Sequence, residues 1–108
     1  MRILLDECVP KALRRHLPGY ICRTVPQMGW ASVTNGKLLR LAEPLFDAFL
    51  TVDKSIPFQQ QAGRFDLGIV VIRAKDTTID GLMPLAGRIS TALEGIEPGQ
   101  VRFVVEEG

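Results

Sequence analysis

The chain of 108 residues is short of most features that announce a chemistry outright. It has two cysteines, Cys8 and Cys22, and a single histidine, His16. The cysteines lack the close spacing of a metal-binding pair, and one disulfide makes no scaffold. Both therefore read as buried thiols of a reducing compartment. His16 sits at the cationic end of a helical stretch and is given no catalytic role. No apolar run approaches the roughly eighteen residues of a membrane-spanning helix. The run Ile3-Leu4-Leu5 after Met1-Arg2 is too short for the apolar centre of a signal peptide. A cytoplasmic protein is expected, with no membrane partner. Excess charge is also missing. The net charge is +1, with eight Lys/Arg against five Asp/Glu in residues 1–54 and five against seven in residues 55–108. This is far from the strongly basic footprint of a dedicated nucleic-acid binder, so any affinity for phosphate must come from the placement of charges.

What is present is a globular composition, 46% hydrophobic and 23% charged, of a length that suits one domain spanning residues 1–108. Five short apolar runs rich in β-branched residues punctuate it: Ile3-Leu4-Leu5, Ile21 to Val25, Phe49-Leu50-Thr51-Val52, Ile69-Val70-Val71-Ile72 and Val101 to Val105. The fourth is apolar throughout, as a strand covered on both faces must be. Between the first two, Val9, Leu13 and Leu17 make one apolar stripe of a helix, with Pro10 at its first turn and Pro18-Gly19 as its stop. A second helix is expected from about Gly36 to Glu43, burying Leu38, Leu39 and Ala42. The longest is expected from about Ile79 to Leu93, with Leu82, Leu85, Ala86, Ile89 and Leu93 on one side. Strands alternating with helices predict an α/β fold: a single-domain three-layer α/β/α sandwich around a mostly parallel five-stranded sheet.

In such a sheet, ligands bind beyond the carboxyl ends of the strands, near the point where strand order reverses. The residues that follow the strands are Asp6-Glu7, Asp53-Lys54-Ser55 and Arg73-Ala74-Lys75-Asp76. If the first and third strands are neighbours, in the order 2-1-3-4-5, Asp6 and Asp53 converge. Two carboxylates there would seat Mg²⁺ or Mn²⁺, which needs only one or two of them beside water and substrate phosphate. Each acid also has an ordinary alternative as a helix cap, Asp6 and Glu7 before Pro10, and Asp53 before a turn near Pro57 to Gln61.

Three segments carry a resemblance: Arg2-Ile3-Leu4-Leu5-Asp6-Glu7, then Met28-Gly29-Trp30 with Asn35-Gly36-Lys37-Leu38-Leu39, and Phe49-Leu50-Thr51-Val52-Asp53-Lys54. Together they resemble the PIN-like nucleases, and most of all the short stand-alone bacterial members, some of which are toxins paired with a small antitoxin protein. The resemblance implies a Mg²⁺- or Mn²⁺-dependent ribonuclease acting on RNA. Asp6 and Asp53 would be the metal-binding and catalytic acids, and Thr51 the strand hydroxyl beneath the metal. Two positions depart from the family pattern. Asn35 stands where an acid commonly opens the helix, and Ser55 where a second acid often follows the Thr-x-Asp aspartate. The metal set is thus Asp6 and Asp53, with Glu7 and Asn35 as secondary candidates. Thr34-Asn35-Gly36 serves equally well as a cap.

Arg73, at the end of a buried strand, is assigned to catalysis and substrate binding, since its fork suits phosphate. Lys54, Thr51 and Ser55 join it in substrate binding, with Lys75 close in sequence. Arg14, Arg15 and His16 form a second basic cluster. Trp30 either stacks on a base or seals the sheet edge. The expected function is a ribonuclease, with a small antitoxin protein or a second copy of the chain as its candidate partner. Its rivals are a non-catalytic PIN-like module that binds RNA or protein, and a response-regulator-like domain. The latter ranks last because Glu106-Glu107, not lysine, ends the final strand.

Overall fold

All five apolar runs become strands in a computed structural model that describes residues 1–107. They are β1 (Arg2–Leu5), β2 (Ile21–Thr24), β3 (Ala48–Thr51), β4 (Gly68–Arg73) and β5 (Val101–Val105). They form one sheet in the order β2-β1-β3-β4-β5, and every pairing is parallel. The expected order and α/β class hold. The chain leaves β1 outward to β2, then crosses back over β1 to β3. The reversal therefore lies between β1 and β3, where crossovers leave on opposite faces and open a crevice.

Alternation along the strands divides the core. Ile3, Leu5, Leu50, Val70 and Ile72 point to one face, where Val9, Leu13 and Leu17 meet Leu82, Leu85, Ile89 and Leu93. Leu4, Phe49, Ile69 and Val71 point to the other, beneath Leu38, Leu39, Ala42, Phe46, Ile56 and Phe65. A sheet covered on both faces explains why its central strands read as unbroken apolar runs. Each fully buried Leu, Ile or Phe contributes about 1.5–3 kcal/mol by leaving water.

The helices are shorter and tighter than the periodicity predicts. The apolar stripe of Val9, Leu13 and Leu17 is buried as expected. Its helix is a 3₁₀ segment, Lys11–His16, and Pro10 sits before it as the N-cap residue rather than inside the first turn. Helix α1 (Asn35–Ala42) matches the expected second helix and buries Leu38, Leu39 and Ala42. A short α2 (Ile56–Gln59) follows β3. The expected long helix is three pieces: α3 (Ile79–Leu82), a 3₁₀ turn at Met83–Leu85, and α4 (Ala86–Leu93). Pro84 stands in the middle piece, where a ring without an N–H cannot continue the α-helical ladder. Cys22 is buried, but Cys8 is exposed, contrary to the pairing of both as buried thiols. It lies in the turn after β1, not on a strand. Among the described residues no helix is long and apolar enough to cross a membrane.

Helix propensity alone says that Gly81→Ala in α3 should stabilise by about 1 kcal/mol. A methyl there would collide with the backbone carbonyl of Asp76. We expect Gly81→Ala instead to destabilise by about 1–3 kcal/mol in urea denaturation; a gain in stability would contradict this packing.

Candidate functional site

The register of the sheet builds the site. Leu5 pairs with Leu50, and the Asp6 N–H continues the ladder to the Leu50 carbonyl at 3.0 Å, so Asp6 stands beside Thr51. Thr51 is wholly buried, and a buried hydroxyl must find partners. It finds the Asp6 carboxylate and the Asp53 backbone amide. Its Oγ1 donates to Asp6 Oδ2 at 2.8 Å and accepts the Asp53 N–H at 3.0 Å. One hydroxyl thus ties the carboxyl end of β1 to the segment that follows β3.

The remaining contacts fix the two acids. Asp6 Oδ1 accepts the Glu7 N–H at 2.8 Å, and the Cys8 thiol lies 3.5 Å from Asp6 Oδ2 and 3.7 Å from Thr51 Oγ1. Asp53 Oδ1 accepts the Ser55 N–H at 2.9 Å and the Ser55 hydroxyl at 2.6 Å. Ser55 is the N-cap residue of α2, and no side-chain cap bond forms there, so Asp53 closes the turn ahead of the helix and does not cap it. Among the described residues no hydrogen bond reaches Asp53 Oδ2. Asp6 caps nothing with its side chain; its backbone carbonyl accepts the Val9 N–H.

Both acids are half-buried, and neither has a cationic partner: among the described residues the one ion pair within 4.0 Å joins Arg88 to Glu107. Cys8 is exposed as a residue, yet its sulfur turns inward. Burial first, then the nearby Asp6 charge, raises its pKa, while the Val52 backbone and Thr51 hydroxyl pull it down. The thiol is therefore held neutral.

The secondary candidates are placed differently. Glu7 is exposed, and its Oε1 accepts the N–H of Ser32, a residue held at φ 68. Its carboxylate thus anchors a left-handed bend, a conformation that costs a side-chain-bearing residue of order 1 kcal/mol or more. Asn35 is the first residue of α1, whose N-cap is Thr34, and no side-chain cap bond forms there. Its neighbour Gly36 packs against the Gln60 amide just beyond α2, which brings the start of α1 alongside the segment led by Asp53. Trp30 is half-buried edge-on against Phe46, with ring centres 6.2 Å apart, and seals the core.

The cations separate into two places. Asp6 and Glu7 line a cavity of about 450 Å³ together with Lys11 and Arg14. Lys54, Arg73 and Lys75 instead line a cleft of about 460 Å³ with Val52, Ile72, Thr77, Val105 and Glu106, and neither Asp6 nor Asp53 borders it. Sequence reasoning did not single out Phe58, which is 76% exposed in α2 directly after the Asp53–Ser55 turn. A phenylalanine inside the polar run Phe58-Gln59-Gln60-Gln61 was the available signal.

Comparison with protein-family models, with curated proteins and with solved structures returns no match. The site is therefore argued from its own chemistry. Two carboxylates at neighbouring strand ends, with one Asp53 oxygen free of hydrogen bonds and no ion pair to either acid among the described residues, have the donor chemistry of a hard dication that keeps most of its water. Among the described residues no group of three or more His, Cys, Asp or Glu side chains is placed to hold a metal together.

Replacing Thr51 by Val would leave the Asp6 carboxylate and the Asp53 N–H without their shared partner. We expect Thr51→Val to lose about 1–3 kcal/mol in urea denaturation while Thr51→Ser loses clearly less. A larger loss from Thr51→Ser than from Thr51→Val would show that the methyl group, not the hydroxyl, holds this corner.

Proposed function

We propose that the chain is a metal-dependent ribonuclease of the PIN-like type with a depleted acidic site. One observation carries this reading: at the reversal of strand order the buried Thr51 hydroxyl holds the Asp6 carboxylate and the Asp53 backbone amide, and neither acid has an ion-pair partner among the described residues. That is a costly way to arrange two caps and a natural way to arrange a cation site. Asp6 and Asp53 would hold Mg²⁺ or Mn²⁺, with Asn35 offering at most a carbonyl oxygen. A dication bound there supplies an acidified water and offsets charge on the phosphodiester.

The protein's own groups do the positioning. Thr51 holds Asp6 in place through a bond that only an acceptor oxygen can receive. Ser55 holds Asp53 by one oxygen and leaves the second for the ligand. Arg73 and Lys54 contribute positive charge for the RNA backbone, from the far side of the strand ends. Were the chain the toxin half of a pair, its antitoxin would be a separate small protein, and the unpaired edge of β5 with Phe103 and Val105 exposed is a surface such a partner could cover.

A second reading has its own support. Asp53 Oδ1 already serves Ser55, Glu7 serves Ser32, and Asn35 is neutral. These are the marks of a PIN-like module that binds RNA or protein without cutting it.

The cleavage assay separates the two. Purified protein should cleave single-stranded RNA slowly, faster with Mn²⁺ than with Mg²⁺, in keeping with the general rise in affinity toward transition metals. Asp6→Asn and Asp53→Asn, shown to be folded by circular dichroism, should abolish cleavage. Asn35→Asp should raise the rate at limiting Mn²⁺ by adding a charge to the site. No cleavage at high Mn²⁺, or folded aspartate variants as fast as the parent, would leave the binding module as the function.

A further inference from the structure

Most arginines of this protein are already occupied. Arg2 lies over the Phe46 ring at 5.6 Å, and Arg40 and Arg64 lie over Phe65 at 5.4 and 5.2 Å. Arg102 donates to the Ala92 and Glu94 carbonyls at the end of α4, Arg23 donates to the Cys22 carbonyl, and Arg88 pairs with Glu107. Arg14, Arg15 and Arg73 have no such partner among the described residues. Of these, Arg73 shares one cleft with Lys54 and Lys75, whose ammonium groups have none either. All three are exposed.

The cleft is held rigidly although its cations are free. The Glu106 N–H donates to the Arg73 carbonyl at 2.9 Å, and the Lys75 N–H donates to Glu106 Oε2 at 3.1 Å, so the end of β5 grips the loop after β4. Further along, Asp76 Oδ1 accepts both the N–H and the hydroxyl of Thr78, which fixes the start of α3 and lowers the Asp76 pKa. The floor is apolar, formed by Val52, the buried Ile72 and the half-exposed Val105. Three cations around an apolar floor, against the single carboxylate of Glu106, suit a ligand that alternates phosphate with an apolar or π-faced surface.

The turn after β3 joins this cleft to the carboxylates. Val52 and Lys54 face the cleft, whereas Thr51 and Asp53 make the hydrogen bonds of the acid site. We propose that the cleft of Lys54, Arg73 and Lys75 is a backbone-binding subsite for a single-stranded polynucleotide, which passes over the end of β3 towards Asp6 and Asp53. A single nucleotide could fill the cleft, but only an extended polyanion reaches both places. In a duplex the bases are stacked away from such a floor. The proposal rests on the ribonuclease reading only for the direction in which the strand runs, since binding in the cleft needs neither metal nor carboxylate.

The test is fluorescence anisotropy with a labelled short oligouridylate in EDTA, across a salt series. The triple variant Lys54→Ala/Arg73→Ala/Lys75→Ala, checked for folding by circular dichroism, should bind at least about tenfold more weakly. Its slope of log affinity against log salt should shrink by about 2, as expected for three phosphate contacts on a single strand. Lys54→Glu alone, one exposed position, should weaken binding in the same direction. Asp6→Asn and Asp53→Asn should bind as tightly as the parent or more so. Unchanged binding by the triple variant would overturn the proposal. So would an equal loss from Lys11→Ala/Arg14→Ala/Arg15→Ala, which would move the binding face to the first helix. Equally tight binding of dextran sulfate would overturn it too, by showing an undiscriminating anion surface. A protein that passes this test yet cleaves nothing would refute the nuclease and keep the subsite.

Discussion

The hydroxyl of Thr51 has nowhere to find water. It lies at the end of a strand buried on both faces, so its donor and its acceptor capacity must be met from the protein. Meeting them takes a carboxylate from β1 on one side and a backbone amide beyond β3 on the other. The parallel register makes this possible, because Asp6 follows Leu5 just as Thr51 follows Leu50. The crossover that reverses the strand order keeps the space above them open. What looks like a site assembled from scattered acids is thus the consequence of one buried side chain at one place in the sheet.

The bend and turn that follow β3 sort the chemistry: Thr51 and Asp53 serve the acid corner while Val52 and Lys54 serve the cationic cleft. Acids and cations close in sequence are thereby kept from neutralising each other. Were Lys54 and Asp53 paired, the carboxylate would lose the excess negative charge that attracts a dication, and the lysine would be lost to phosphate.

Much of the fold was legible because it is written in local patterns. Ile69 to Ile72 read as a strand covered on both faces, and Leu38, Leu39 and Ala42 as a helical face, since hydrophobic period and burial are the same fact seen twice. The strand order followed from the alternation of strands and helices together with the placement of Asp6 and Asp53. Where periodicity misled, a local constraint had won. Pro84 divides the helical stretch from Ile79 to Leu93, and the segment after Pro10 tightens to 3₁₀ geometry although its apolar stripe is buried as a helix would bury it. Cys8 looked like a core thiol by type, but its place in a turn decides its exposure. The part of the site that no local pattern holds is its long-range bonding. That Ser32 occupies Glu7, that Glu106 braces Lys75, and that Arg40 and Arg64 share Phe65 are products of tertiary packing.

We propose that Asp6 and Asp53, linked through Thr51, hold one cation together. Calorimetric titration of Mn²⁺ into the parent protein and into folded Asp6→Asn and Asp53→Asn tests it directly. The account predicts a single weak site in the parent and its loss in each variant. Binding that survives in either variant, or two independent sites each removed by one substitution, would contradict it.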